Sequence, residues 1–140
     1  MPQKKPDYMK TLSGRITLLT PNLDEASLIT GSEVSNLEDM RAAARQIYQD
    51  YHIPCLIKGG HLTGNAVDIL FDGRSYHMFE RERADGNVHG TGCFLSSLIL
   101  CFLVQGRPLI EACRLAGDKT KEAILRAVPV GKGQRLILVD

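Results

Sequence analysis

Along the chain, apolar positions recur with two different periods, and the switches between them mark the elements. "RITLLT" (15–20) is a short apolar run rich in β-branched residues and stopped by Pro21, which predicts a buried strand. Asn22 then caps a predicted helix, LDEASLIT, which Gly31 ends. A second cap, Asn36, opens a longer helix. Its Met40, Ala43, Ala44, Ile47, Tyr48 and Tyr51 share one face, while Glu38, Asp39, Arg41 and Arg45 fall on the other. "IPCLIK" (53–58) predicts a second buried strand, running straight into Gly59-Gly60-His61. "AVDILF" and "RSYHMF" are separated by Asp72-Gly73, a two-residue link that predicts a β-hairpin. A further helix is expected from near Cys93 to Gln105, with Gly106 in the left-handed cap position. Pro108 starts another, over about 109–127, and "RLILV" predicts a last strand.

Strands alternating with helices predict a three-layer α/β/α fold built on a mostly parallel sheet, with residues 1–140 as a single domain. Ligands in such folds sit at the carboxyl ends of the strands. TPNLDE, KGGH and HGTGC each lie just past a predicted strand or hairpin.

Composition narrows the partners. Apolar residues make up 44% of the chain, charged residues 24%, and the net charge is +1. That balance is of an ordinary soluble domain and gives no reason to expect nucleic acid or an anionic membrane as partner. The longest apolar run, Phe94 to Val104, is interrupted by Ser96 and Ser97 and is too short to span a bilayer. No apolar stretch follows the basic start MPQKKPDYMK, so no signal peptide is expected and the cytoplasm is the default location. The four cysteines form no CxxC pair and no zinc spacing. Cys55, Cys101 and Cys113 sit among apolar neighbours and are expected to be buried as small hydrophobes. Cys93 differs, because a glycine precedes it.

Three stretches carry candidate chemistry, each with a plainer alternative. In HGTGC, Gly90, Thr91 and Gly92 at a helix start let backbone N–H groups converge where the helix dipole adds positive charge, a place suited to an anion such as phosphate. Cys93 in the first turn would feel the same field; otherwise the stretch is a helix-starting turn. No GK[ST] follows, so it is not a Walker A loop. Asn22 and Glu25 have the spacing of a capping pair, and equally of an amide and a carboxylate able to hold water around Mg²⁺. Lys58, at the end of a strand with Gly59 and Gly60 behind it, either snorkels to solvent or holds a nucleotide phosphate that the glycines let approach. His52 and His77 lie in surface or hairpin contexts, and nothing marks them as ligands.

"LLTPNLDEASLITG", "IKGGH", "HGTGCFLSSLI" and the late "GKG" at 131–133 together resemble the hydroxymethylpyrimidine and hydroxymethylpyrimidine phosphate kinases of thiamine biosynthesis. These are ribokinase-like proteins, related to the pyridoxal kinases. The resemblance runs from about Arg15 onward and implies an α/β/α fold, ATP and Mg²⁺ as cofactors, and phosphorylation of a hydroxymethyl group. By this resemblance Gly90, Thr91 and Gly92 form the anion hole and Cys93 is the general base. Lys58, Gly60 and His61 lie near the ATP phosphates, and Asn22 and Glu25 match the NxxE motif that organises Mg²⁺. Val88 and Phe94 depart from the small polar residues common in the family.

Relatives carry roughly another half-domain before the TPN strand, including most of the alcohol site, whereas 14 residues precede Arg15 here. The chain is therefore expected to correspond to the C-terminal, nucleotide-side half of such a kinase. Its uncovered sheet edge predicts a homo-oligomer or pairing with a missing N-terminal half. Three hypotheses follow: a kinase acting on hydroxymethylpyrimidine, its phosphate or a pyridoxal-like alcohol; a truncated, non-catalytic nucleotide-binding module; and a cysteine hydrolase, for which only the neighbouring His89 is at hand.

Overall fold

The computed structural model describes residues 8–60, 64–82, 88–89, 91–129 and 135–137, with the backbone alone at 88–89, 128–129 and 135–136. It divides into two compact units, Met1–Glu82 and Arg83–Asp140.

In the first unit, α1 (Tyr8–Leu12) precedes an extended stretch, then α2 (Leu23–Thr30) and α3 (Leu37–Tyr51). The helix boundaries follow the local chemistry. The Asn22 side chain accepts the Glu25 N–H, and Gly31 takes φ 75° to close α2. Asn36 caps α3 through the Asp39 N–H. At the other end of α3, His52 adopts the left-handed conformation at φ 57°, unusual for a residue with a Cβ. Its ring stacks on Tyr48 with centroids 5.9 Å apart, a contact that accompanies the cap.

Strands β1 (Cys55–Lys58), β2 (Ala66–Phe71) and β3 (Tyr76–Arg81) form an antiparallel sheet in that order. Strand alternation sends Cys55, Ile57, Val67, Ile69 and Phe71 to the face on which α3 lays Met40, Ala43, Ala44, Ile47 and Tyr51. Each large apolar side chain buried in this core contributes about 1.5–3 kcal/mol relative to exposure. Met9 of α1, which the sequence did not mark, is also buried there. Burial pushes the Cys55 thiol far above its ordinary range, so it is inert filler, as expected.

The hairpin forms where Asp72-Gly73 predicted it, with a longer turn than the expected two residues. Phe71 pairs with Tyr76, and the loop spans 72–75. Asp72 explains the length: its Oδ1 accepts the N–H groups of Arg74 (2.7 Å) and Ser75 (2.8 Å), and its Oδ2 lies 3.0 Å from His77 Nε2.

"RITLLT" does not form a continuous strand: it starts in a turn at Arg15, and only Leu19 within it, with Asn22 just beyond, makes a parallel bridge to the β1 stretch, to Cys55 and Lys58 respectively. It is half-buried or exposed rather than buried. Proline explains the interruption. Leu19 N–H donates to Pro54 O, Leu19 O accepts from Leu56 N–H, and Lys58 N–H donates to Pro21 O. The donor next in this register belongs to Pro21, which has none.

In the second unit, α4 (Thr91–Val104) packs against α5 (Leu109–Leu125). Small buried residues on α5, Ala112, Cys113, Ala116 and Gly117, let α4 approach. Leu95 and Ile99 are the buried residues of α4. Cys101 falls on the opposite side and is exposed, against the expectation that its apolar neighbours would bury it. In a helix apolar nearly all round, neighbours in sequence do not tell which side is covered. Gly106 holds φ 86° after α4, and Pro108 caps α5. Strand β4 (Val88–His89) pairs in parallel with β6 (Arg135–Leu136), which pairs antiparallel with β5 (Val128–Pro129). Among the described residues, no helix is long and apolar enough to cross a membrane.

Candidate active site

In the first unit, the TPN and KGG stretches lie side by side. The Asn22–Lys58 bridge and the 2.9 Å bond from Lys58 N–H to Pro21 O seat the start of α2 against the end of β1. Asn22, Glu25, Lys58 and Gly60 thus belong to one end of this small sheet. They come together because a parallel pair of strands places equivalent ends side by side.

Asn22 and Glu25 form a complete capping box. Glu25 N–H donates to Asn22 Oδ1 at 2.8 Å, and Asn22 N–H donates to Glu25 Oε2 at 2.9 Å. The capping reading is therefore correct. It uses one oxygen of each side chain, and the Glu25 carboxylate is exposed. Asn22 is half-buried and its one side-chain oxygen serves the cap, so the pair offers few oxygens, which suits a cation that keeps most of its water, as Mg²⁺ does.

Lys58 is half-buried and Gly59 buried, while Gly60 is exposed. The two glycines differ sharply. A Cβ on Gly59 would lie 2.2 Å from Val67 O and 3.0 Å from Met40 Cε; on Gly60 it would meet nothing within 4 Å. The first glycine is demanded by close packing, the second leaves open space in front of the turn.

Sequence reasoning missed Asp68, on β2 directly opposite Lys58. Its Oδ1 accepts the Gly59 N–H at 3.2 Å. Burial raises its pKa, opposed by that N–H and by the charges of Arg81 and Lys58. The signal was present: one acid in an otherwise apolar strand.

In the second unit, Thr91 and Gly92 open α4 and are half-buried, and the Cys93 thiol is free and exposed in the first turn. The first N–H groups of a helix have no partner one turn back, and the dipole concentrates positive charge there. Gly90 and His61, also expected at the site, and the GKG at 131–133 lie outside the described residues, as does the side chain of His89.

A family model for phosphomethylpyrimidine kinase matches residues 2–137. Among curated relatives, the thiamine biosynthesis bifunctional protein ThiED of Geobacter sulfurreducens is 46% identical over 118 residues, covering 83% of this chain and 24% of that protein. The hydroxymethylpyrimidine/phosphomethylpyrimidine kinase of Aquifex aeolicus is 41% identical over 124 residues, covering 87% and 49% respectively. Among solved structures, the pyridoxal kinase of Staphylococcus aureus in complex with AMP-PCP and pyridoxal superposes with a TM-score of 0.87 at 26% identity, covering 93% of this chain and 50% of that one. The chain thus spans about half, or less, of the length of the proteins it matches. Its fold is α/β and ribokinase-like.

Proposed function

Because the chain belongs to the phosphomethylpyrimidine kinase family, we propose that it is the nucleotide-side part of a kinase that uses ATP to phosphorylate hydroxymethylpyrimidine or its phosphate in thiamine biosynthesis. The observation that carries this reading is the seating of the TPN turn beside the KGG turn, in a chain matched almost end to end by one kinase family. ATP as donor is supported by the relative crystallised with AMP-PCP.

In this reading each residue has a defined task. Lys58 supplies a positive charge to a nucleotide phosphate, and the bare Gly60 backbone lets that phosphate come close. Asn22 and Glu25 hold the hydration shell of Mg²⁺, whose charge offsets that of the phosphates when it is bound. Gly90, Thr91 and Gly92 present N–H groups to the charge on the transferring phosphoryl group. Cys93 takes the proton of the attacking hydroxyl as the new O–P bond forms and the bond to the ADP oxygen breaks.

Two experiments test the proposal. Mg²⁺ and ATP titrated into the 140-residue chain should give saturable binding. In the full-length kinase that contains this segment, Cys93→Ala should lower kcat by about 10²–10⁴ and leave nucleotide affinity nearly unchanged. Undiminished turnover by that variant removes Cys93 as the base. A second reading, in which the alcohol is pyridoxal, is favoured by the close superposition on the S. aureus enzyme; comparing kcat/KM for the two alcohols decides between them. Binding of ATP by the isolated chain without phosphate transfer would mark it as a non-catalytic nucleotide module.

A further inference from the structure

The Lys58–Gly60 turn is gripped from one side by β2, and the grip is chemically specific. Lys58 N–H is taken by Pro21 O, and Gly59 N–H by Asp68 Oδ1. Just before Asp68, Val67 O stands where a Gly59 Cβ would have to go. Two consecutive residues of β2 thus hold Gly59, one by steric contact with its Cα and one by a hydrogen bond to its nitrogen.

A carboxylate in this strand needs a reason. Val67 and Ile69 on either side of it point to the opposite, α3 face, while Leu70 and Phe79 on its own face are buried. The half-buried Asp68 carboxylate has its charge disfavoured by burial. An apolar residue would suit the strand better unless the acceptor is needed. Lys58 and Phe79 are its register partners on either side, and the Arg81 guanidinium lies over the Phe79 ring, 5.8 Å from its centroid. The Gly59 N–H and the charges of Arg81 and Lys58 all favour the ionised carboxylate.

We propose that Asp68 is a positioning residue: by accepting the Gly59 N–H it holds the Lys58–Gly60 turn in the form that receives a nucleotide phosphate. The inference rests on the phosphate role of this turn given above. The Asp68 carboxylate is engaged by the Gly59 N–H, so its effect on a nucleotide is indirect. Its contribution is to fix the peptide that connects the cation at Lys58 to Gly60, where a Cβ would meet nothing within 4 Å. Binding energy otherwise spent on ordering the turn then goes into affinity.

The test uses the 140-residue chain and two substitutions. Asp68→Val is close to Asp in size, favours strands and removes the acceptor; Asp68→Ala serves if the valine variant does not fold. Asp68→Asn removes the charge and keeps an oxygen to accept the Gly59 N–H. ATP binding by calorimetry should weaken about tenfold in the valine variant, the effect of one buried N–H left unpaired. In the asparagine variant it should stay within about threefold of wild type or tighten, because an anion near the phosphates is gone. Amide exchange at Gly59 should accelerate in the valine variant alone. Wild-type affinity in a folded valine variant overturns the role of Asp68 while leaving the nucleotide reading standing. Equal weakening by valine and asparagine also overturns it, since the charge and not the acceptor would matter. If the wild-type chain binds no ATP, both readings fall, and unchanged Gly59 exchange in the valine variant then shows that the hydrogen bond does not hold the turn at all.

Discussion

Two adjacent glycines, identical in the sequence, have opposite tasks. Gly59 is packed so closely that a methyl group would have to displace the backbone carbonyl of Val67, 2.2 Å away, which a rigid strand does not easily allow. Gly59→Ala is expected to cost about 1–3 kcal/mol, seen as a lowered midpoint in urea unfolding. Gly60 has open space and a φ outside the left-handed region, so Gly60→Ala should leave stability within about 0.5 kcal/mol of wild type. The same methyl group would stand in the path of a phosphate, and ATP affinity should fall. Loss of stability without loss of affinity at Gly60 would count against the proposed phosphate approach. Sequence alone identified KGGH as worth attention and could not separate these glycines, because what distinguishes them is a carbonyl on another strand. Asp68 escaped notice for the same reason: its importance depends on the register of β2 with β1.

Among the elements, legibility followed how local the deciding interaction is. Asn22 and Asn36 each began a helix, and Gly31 and Gly106 each ended one, as read, since a cap involves only residues three or four apart. "RITLLT" was less legible, because whether an extended run becomes a ladder depends on the partner's register and, here, on Pro21 falling at a donor position. The capping box yields a prediction: Asn22→Ala should cost about 1 kcal/mol in stability, while Asn22→Ser should stay within a few tenths, by thermal unfolding. The hairpin yields another. Partial burial pushes the Asp72 carboxyl up, but the Ser75 and Arg74 N–H groups and the His77 ring more than offset this and leave its pKa below the ordinary value. A carboxyl depressed in the folded state stabilises above its unfolded pKa, about 3.9, and loses that contribution as pH falls through the lower folded value. Asp72→Asn should therefore lower the melting temperature at neutral pH, with the two curves converging below about pH 4. A difference that persists unchanged at acid pH would assign the effect to the turn's hydrogen bonds and not to the charge. Gly73, at φ 101° and with the Tyr48 ring 2.6 Å from where a Cβ would stand, is a position where any side chain would be strained.

For the molecule as a whole, the informative feature is apolar surface without cover. Leu100 and Val104, four residues apart on α4, are 62% and 79% exposed, and Leu125 at the end of α5 is 65% exposed. Scattered exposed apolar residues are ordinary, but Leu100 and Val104 at helical spacing beside the exposed Cys101, on a helix of this apolarity, form a stripe. The curated relatives are at least twice as long as the segment they share with this chain. On its own the chain should bring such stripes together, so that sedimentation velocity gives a weight-average mass rising with concentration. Leu100→Lys with Val104→Lys, both at exposed positions, should shift the population toward monomer and leave the helical signal and melting temperature nearly unchanged. The arrangement of charge matters as well: like charges on paired stripes repel, so the double variant opposes association beyond the apolar area it removes. A wild-type chain that sediments as a monomer at all concentrations would show that this surface is satisfied by water, and would remove association from the account. If wild type associates and the lysine variant does so equally, α4 is not the surface, and the exposed edge of the β1–β2–β3 sheet becomes the place to introduce the next charge.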